Sequence, residues 1–257
     1  MMRNGIFFSL VKLLLTLLVV SPVLAEWQKI NGKLLHLTVT PRFVWGVNNE
    51  HNIFKCTRPC DGSNWVKVEG GLKQVDADDN EVWGVNANDN IYKRPVDGTG
   101  SWIQIKGGLK YVSASGYGYI WGVNSKDQIF KCPKPCNGEW ELVDGALKQV
   151  DGGRDLVYGV NRNDEIFRRP VDGSGVWENI PGKLKHISGS GSWEVFGVNC
   201  NDEIFRCKKP CSGQWTRLSG YLKQCDASGD SLLGVNANDD IFRSTPASKN
   251  CWLNPFV

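Results

Sequence analysis

Histidine and methionine are scarce in this chain, three and two residues in 257. The signatures of the common catalytic sites are missing altogether. There is no Gly-x-Ser-x-Gly elbow and no His-Glu-x-x-His pair. No glycine-rich phosphate or dinucleotide loop leads into a helix. These absences argue against hydrolase, metalloprotease and nucleotide chemistry. His36 and His186 fall at repeat-equivalent positions held elsewhere by Gln or Tyr, which favours structural use over a general base. No Asn-x-Ser/Thr sequon occurs, so N-glycosylation is not expected. No segment beyond residue 25 combines helical period with helical length, and none is apolar enough to span a bilayer.

Residues 1–25 stand apart. Arg3 opens a run that is apolar from Ile6 to Val20, apart from Ser9, Lys12 and Thr16, and that ends in Pro22-Val23-Leu24-Ala25. The pattern is that of a secretory signal peptide, which predicts a mature chain starting near Glu26 and an extracellular location. Without Arg3 and Lys12 the formal charge of +3 falls by two, to +1. A balance so near zero gives no case for nucleic acid or an anionic membrane as partner.

What the chain has instead is repetition. Gly-Val-Asn begins at Gly46, Gly84, Gly122, Gly159, Gly197 and Gly234, in steps of 38, 38, 37, 38 and 37 residues. Leu34, Leu72, Leu109, Leu147, Leu184 and Leu222 precede it at a constant distance to within one residue. Ile-Phe or Ile-Tyr pairs follow it. Each apolar run is short, rich in Val, Ile and aromatics, and bounded by Gly, Asn, Asp or Pro, which marks strands. Four strands per unit, six times over, predict an all-β fold: a six-bladed β-propeller of four-stranded antiparallel blades over 26–257. The Asn-x-Asn-Asp segments, as in Asn86 to Asn90, read as tight hairpins stabilised by their own side chains. They lack the glycine and final glutamate of a calcium loop.

Tryptophan recurs once more than the other marks, at Trp27, Trp65, Trp102, Trp140, Trp177, Trp215 and Trp252. The seventh copy predicts that a strand from one terminus completes the blade at the other and hides an open edge. A second period of two repeats is overlaid on the first. Cys56–Cys60, Cys132–Cys136 and Cys207–Cys211 occupy alternate repeats, and Arg-Pro-Val-Asp-Gly takes the same place in the second and fourth. A spacing of four within one loop predicts three local disulfides. Zinc would need four ligands together, and these pairs lie two blades apart. The pairing of Cys200, Cys225 and Cys251 stays open.

Trp-x-x-Ile/Val-x-Gly-x-Leu-Lys-Gln-Val-Asp-Ala followed by Trp-Gly-Val-Asn-x-x-Asp-x-Ile-Phe resembles the tectonin-type repeat, over all of 26–257. The group includes fish-egg lectins and the lipopolysaccharide-binding tachylectin of horseshoe crabs. The resemblance implies a secreted propeller that binds N-acetylglucosamine-type glycans or bacterial lipopolysaccharide, in innate defence or egg protection. It transfers no individual binding residue, because the shared positions are the ones that make the blade.

Binding is therefore sought where the blades differ. Two loop sets fall on one face: the loop before each Gly-Val-Asn strand and the loop before each Trp strand. They offer Tyr117, Tyr119 and Trp193 as platforms for a sugar ring. Arg42, Asp78, Asp79, Arg154 and Asp155 are the candidate polar partners. Lys73, Lys110, Lys148, Lys185 and Lys223 form a row suited to phosphate contact. Asp76, Asp151 and Asp226 approach one another if their strand lines the channel, and would then share a cation such as calcium or line a hydrated pore. No cofactor is required. Similar blades favour multivalent binding, and the oligomeric state stays open. The competing readings are a protein-binding propeller scaffold, which would show an apolar patch on the loop face, and a hydrolase, which would show two carboxylates in one cleft.

Overall fold

Strands His36–Val39, Phe43–Val47, Ile53–Thr57 and Trp65–Val68 form the first of six four-stranded antiparallel sheets in a computed structural model of the protein, which describes residues 26–229 and 231–245. Each sheet is one blade. The inner strands of blades two to six are Gln74–Ala77, Tyr111–Ser113, Gln149–Gly152, His186–Ser188 and Gln224–Ser228. The signal-peptide pattern, Cys251 and Trp252 lie outside the described residues.

Ring closure is resolved in favour of the N-terminus. Strand Glu26–Lys33 pairs antiparallel with Asp240–Thr245 and becomes the outer strand of blade six. Trp27 thereby takes the place that Trp65 holds in blade one. Strand Asp240–Thr245 thus has its outer edge covered by Glu26–Lys33.

The invariant glycine has a packing cause. At Gly84 a Cβ would stand 2.6 Å from the Leu72 Cδ1 and 2.8 Å from the Gln74 carbonyl oxygen. The leucine that opens the repeat lies on the glycine's bare face and is buried. Full burial of such a side chain stabilises by about 2 kcal/mol. The outer tryptophan clasps the neighbouring blade. Trp102 Nε1 donates to the Glu69 carbonyl at 2.8 Å, across Gly70, whose φ of +104° excludes a side chain.

The hairpins are built as the turn chemistry predicts. Asn86 Oδ1 accepts the N–H groups of Asn88 and Asn90, both at 3.0 Å, and lets Asp89 take a φ of 64°. The Asp89 carbonyl then accepts the Leu109 N–H of the next blade at 2.9 Å. The turn is thus an inter-blade fastener.

The doubled period also has a cause. Trp45 Nε1 donates to the Val96 carbonyl at 3.0 Å, and Trp121 Nε1 does the same to Val171. The Arg-Pro-Val-Asp-Gly loops of blades two and four are receptors for the tryptophans of blades one and three. Cys56–Cys60, Cys132–Cys136 and Cys207–Cys211 are disulfides, as their spacing predicts. Cys200 is exposed and Cys225 buried, and neither has a disulfide partner among the described residues.

Candidate functional site

Two layers of inward side chains line the axis, because strand alternation turns every second inner-strand residue to the channel. At one end are His36, Gln74, Tyr111, Gln149, His186 and Gln224. The next layer alternates hydroxyl and carboxylate: Thr38, Asp76, Ser113, Asp151, Ser188 and Asp226. Above it the strands open into the loops.

The glutamines and aspartates join blades. Gln74 clamps the Val112 peptide, with Nε2 donating to its carbonyl at 2.8 Å and Oε1 accepting its N–H at 3.0 Å. Gln149 holds Ile187 and Gln224 holds Leu37 in the same way. One layer up, Asp76 accepts the Ala114 N–H, Asp151 the Gly189 N–H and Asp226 the Val39 N–H. Each aspartate also accepts a hydroxyl from the blade before it: Thr38, Ser113 and Ser188 respectively.

The structure therefore brings Asp76, Asp151 and Asp226 together, nearly buried and hydrogen-bonded on both oxygens. Burial raises the pKa of all three, and mutual repulsion adds to it for Asp76, to about 6, and for Asp151, well above the ordinary value. Among the described residues, no group of three or more His, Cys, Asp or Glu side chains is arranged to hold a metal ion. At the far end His36 Nε2 and His186 Nε2 each lie 3.2 Å from the Tyr111 hydroxyl. Burial first, and nearby charges second, push His36 down to about 3 and His186 well below its usual value. The three rings pack edge to face, with centroids 5.6 Å, 6.0 Å and 6.2 Å apart.

The lysine row lies on turn aspartates. Lys73, Lys110, Lys148, Lys185 and Lys223 pair with Asp89, Asp127, Asp164, Asp202 and Asp239. Blade one lacks both partners: Leu35 stands for the lysine and His51 for the aspartate, with its φ of 63°. Paired presence and paired absence tie the lysines to the turn.

The loop face holds a bowl of about 580 Å³ over the channel mouth. Its wall draws on all six blades and includes Asp78, Asp79, Tyr117 and Arg154, four of the eight candidates. Tyr117 is 75% exposed. Trp193, 74% exposed, stands outside the wall, next to the wall residue Ser192. Arg42 and Asp155 are exposed and also lie off the wall. Arg42 donates to the Asp79 carbonyl at 3.3 Å. Tyr119 is half-buried in its strand, with the Lys131 ammonium over its ring, 5.2 Å from the centroid. It packs on the blade and is not brought to the bowl.

Sequence reasoning missed Lys134, which enters the wall from a disulfide loop. Its ammonium donates to Asp78 Oδ2 and to the Ala114 carbonyl, both at 2.7 Å. The signal was present: a cation precedes proline in all three disulfide loops, as Arg58-Pro59, Lys134-Pro135 and Lys209-Pro210. The serines of the wall, Ser115, Ser190, Ser192 and Ser228, carried no signal beyond small size.

A family model described as Tectonin domain matches residues 18–172 and 149–256. Over 132 residues the chain is 79% identical to Lectin L6 of Tachypleus tridentatus, a match that covers 51% of this chain and 60% of that protein. The chain thus matches less than two thirds of that relative's length. Among solved structures, the U3-55K structure is similar with a TM-score of 0.64 at 9% identity, covering 86% of this chain and 98% of that one. The WD40 repeats of RRP9 align with a TM-score of 0.63 at 9% identity, over 85% and 97%. At such identities the likeness concerns the propeller fold alone.

Proposed function

The chain belongs to the tectonin family, and from that premise we propose that it is a secreted lectin whose bowl binds sugars without covalent chemistry. The observation that carries the reading is the bowl itself. A concave site that combines apolar wall with Asp, Asn, Ser, Lys and Arg side chains and one exposed aromatic suits a pyranose, which presents an apolar face to a ring and hydroxyls to fixed polar groups. Tyr117 is the platform, with Trp193 as a second one nearby. Asp78, Asp79 and Arg154 fix orientation.

The ligand class is N-acetylglucosamine-type glycan or bacterial lipopolysaccharide, and the setting is innate defence or egg protection. The name of the horseshoe-crab relative supports a lectin. Three disulfides suit an extracellular location. The protein acts by binding and not by catalysis. Sugar binding needs no cofactor, and calcium enters as one arm of the test. A glycan array that includes lipopolysaccharides, run with and without calcium, examines the reading. Selective binding that is lost in Tyr117→Ala supports it, and silence across the array refutes it.

A further inference from the structure

The ring closes between blades six and one, and there the internal symmetry breaks. A second cavity of about 460 Å³ opens on the loop face at this seam. Arg58 of blade one and Arg243 of blade six line it, with Ser228, Ser231, Pro41 and Pro59. It shares Pro41 and Ser228 with the bowl, so one ligand can reach both.

The equivalents of these two cations are used up elsewhere. In the other disulfide loops, Lys134 binds Asp78 and the Ala114 carbonyl, and Lys209 binds the carbonyls of Gly189 and Gly191. Arg58 instead donates to the Thr40 carbonyl at 2.9 Å and reaches across the seam to the Ser231 hydroxyl. At the Arg243 position, Lys93 and Arg168 donate to a carbonyl in the next blade's disulfide loop, that of Cys136 and of Cys211. Arg243 turns back to Gln28 Oε1 of its own blade, at 2.6 Å.

Neither arginine forms an ion pair among the described residues. Most other arginines do, as Arg94 with Glu69 and Arg169 with Asp144. Asp61 is close enough to feel the Arg243 charge, but its Oδ1 accepts the Ser63 N–H and hydroxyl. Asp230 lies outside the described residues. Burial, and then the charge of Arg243, lower the pKa of Arg58. Two guanidiniums on one cavity repel, and an anion between them relieves that repulsion through charge-assisted hydrogen bonds.

We propose that the seam cavity is an anion subsite, in which Arg58 and Arg243 hold a phosphate or carboxylate group carried on a sugar that also enters the bowl. The sugar part rests on the lectin reading, and the anion part does not.

Calorimetry on the full mature chain tests it with four probes: N-acetylglucosamine, N-acetylglucosamine 6-phosphate, glucuronic acid and inorganic phosphate. The expected result is roughly tenfold tighter binding of an anionic sugar than of the neutral one. That gain shrinks as salt rises. Phosphate-only or carboxylate-only gain assigns the anion. Arg58→Gln and Arg243→Gln, made separately so that one failing to fold leaves the other, should each abolish most of the gain and keep N-acetylglucosamine affinity. Arg58→Lys should restore part of it. An undiminished gain in both Gln variants overturns the proposal, as does wild-type protein that binds the neutral sugar with no anionic gain. If neutral sugars fail to bind but inorganic phosphate binds in an arginine-dependent way, the lectin reading falls and the anion subsite stands.

Discussion

Thr38 Oγ1 lies 2.7 Å from Asp76 Oδ1 and 3.0 Å from Asp226 Oδ2. A threonine hydroxyl has one proton, so it donates to only one of them. The second contact is a hydrogen bond only if that carboxyl carries a proton itself. Burial raises the pKa of Asp76, Asp151 and Asp226, so the axis keeps its protons to a higher pH than free aspartates do.

Stability should follow from this. The folded chain raises the Asp76 pKa to about 6, chiefly by burial and then by the charge of Asp226. A raised carboxyl pKa gives stability that is complete below the unfolded value and is lost as pH rises through the folded one. Asp76→Asn removes that loss while keeping an acceptor for the Ala114 N–H. Thermal unfolding followed from about pH 4 to 8 should show the variant gaining on wild type through this window. A difference that stays flat, or shrinks as pH rises, contradicts the shared protons.

Gly84→Ala should destabilise the protein by about 1–3 kcal/mol through overpacking on Leu72 and the Gln74 carbonyl. Urea unfolding measures it. A loss below about 0.5 kcal/mol would mean that the leucine-on-glycine packing is not what the repeat preserves.

Much of this fold was legible because it is repeated. The Gly-Val-Asn step counted the blades, and the extra tryptophan announced closure by a terminal strand. Which terminus closes was not legible, since Trp27 and Trp252 are equivalent marks and only pairing with Asp240–Thr245 selects one. The site was legible in part. Tyr117, Asp78, Asp79 and Arg154 were found because loops that differ between blades escape the packing rules. Tyr119 was not separable from them, because one residue of offset decides between a loop tip and a strand that buries its ring. Arg58 and Arg243 are 185 residues apart in number and meet only when the ring closes, so no local pattern could join them.

Lys73→Ala with Lys110→Ala should change sugar or lipopolysaccharide affinity less than about twofold. The ammoniums are held by Asp89 and Asp127. They are therefore occupied within the turns and are not free for a phosphate. Surface plasmon resonance on immobilised lipopolysaccharide reads the affinity. A large, selective loss would return the lysine row to phosphate contact.

The central claim is that the bowl over the channel mouth binds sugar. Titration of wild type, Tyr117→Ala and Trp193→Ala with the best ligand from the glycan array tests it most directly. Both rings are largely exposed, so their removal should leave thermal stability unchanged. Tyr117→Ala should weaken binding at least about fivefold, with a smaller effect for Trp193→Ala. Full-strength binding by a folded Tyr117→Ala protein would contradict it.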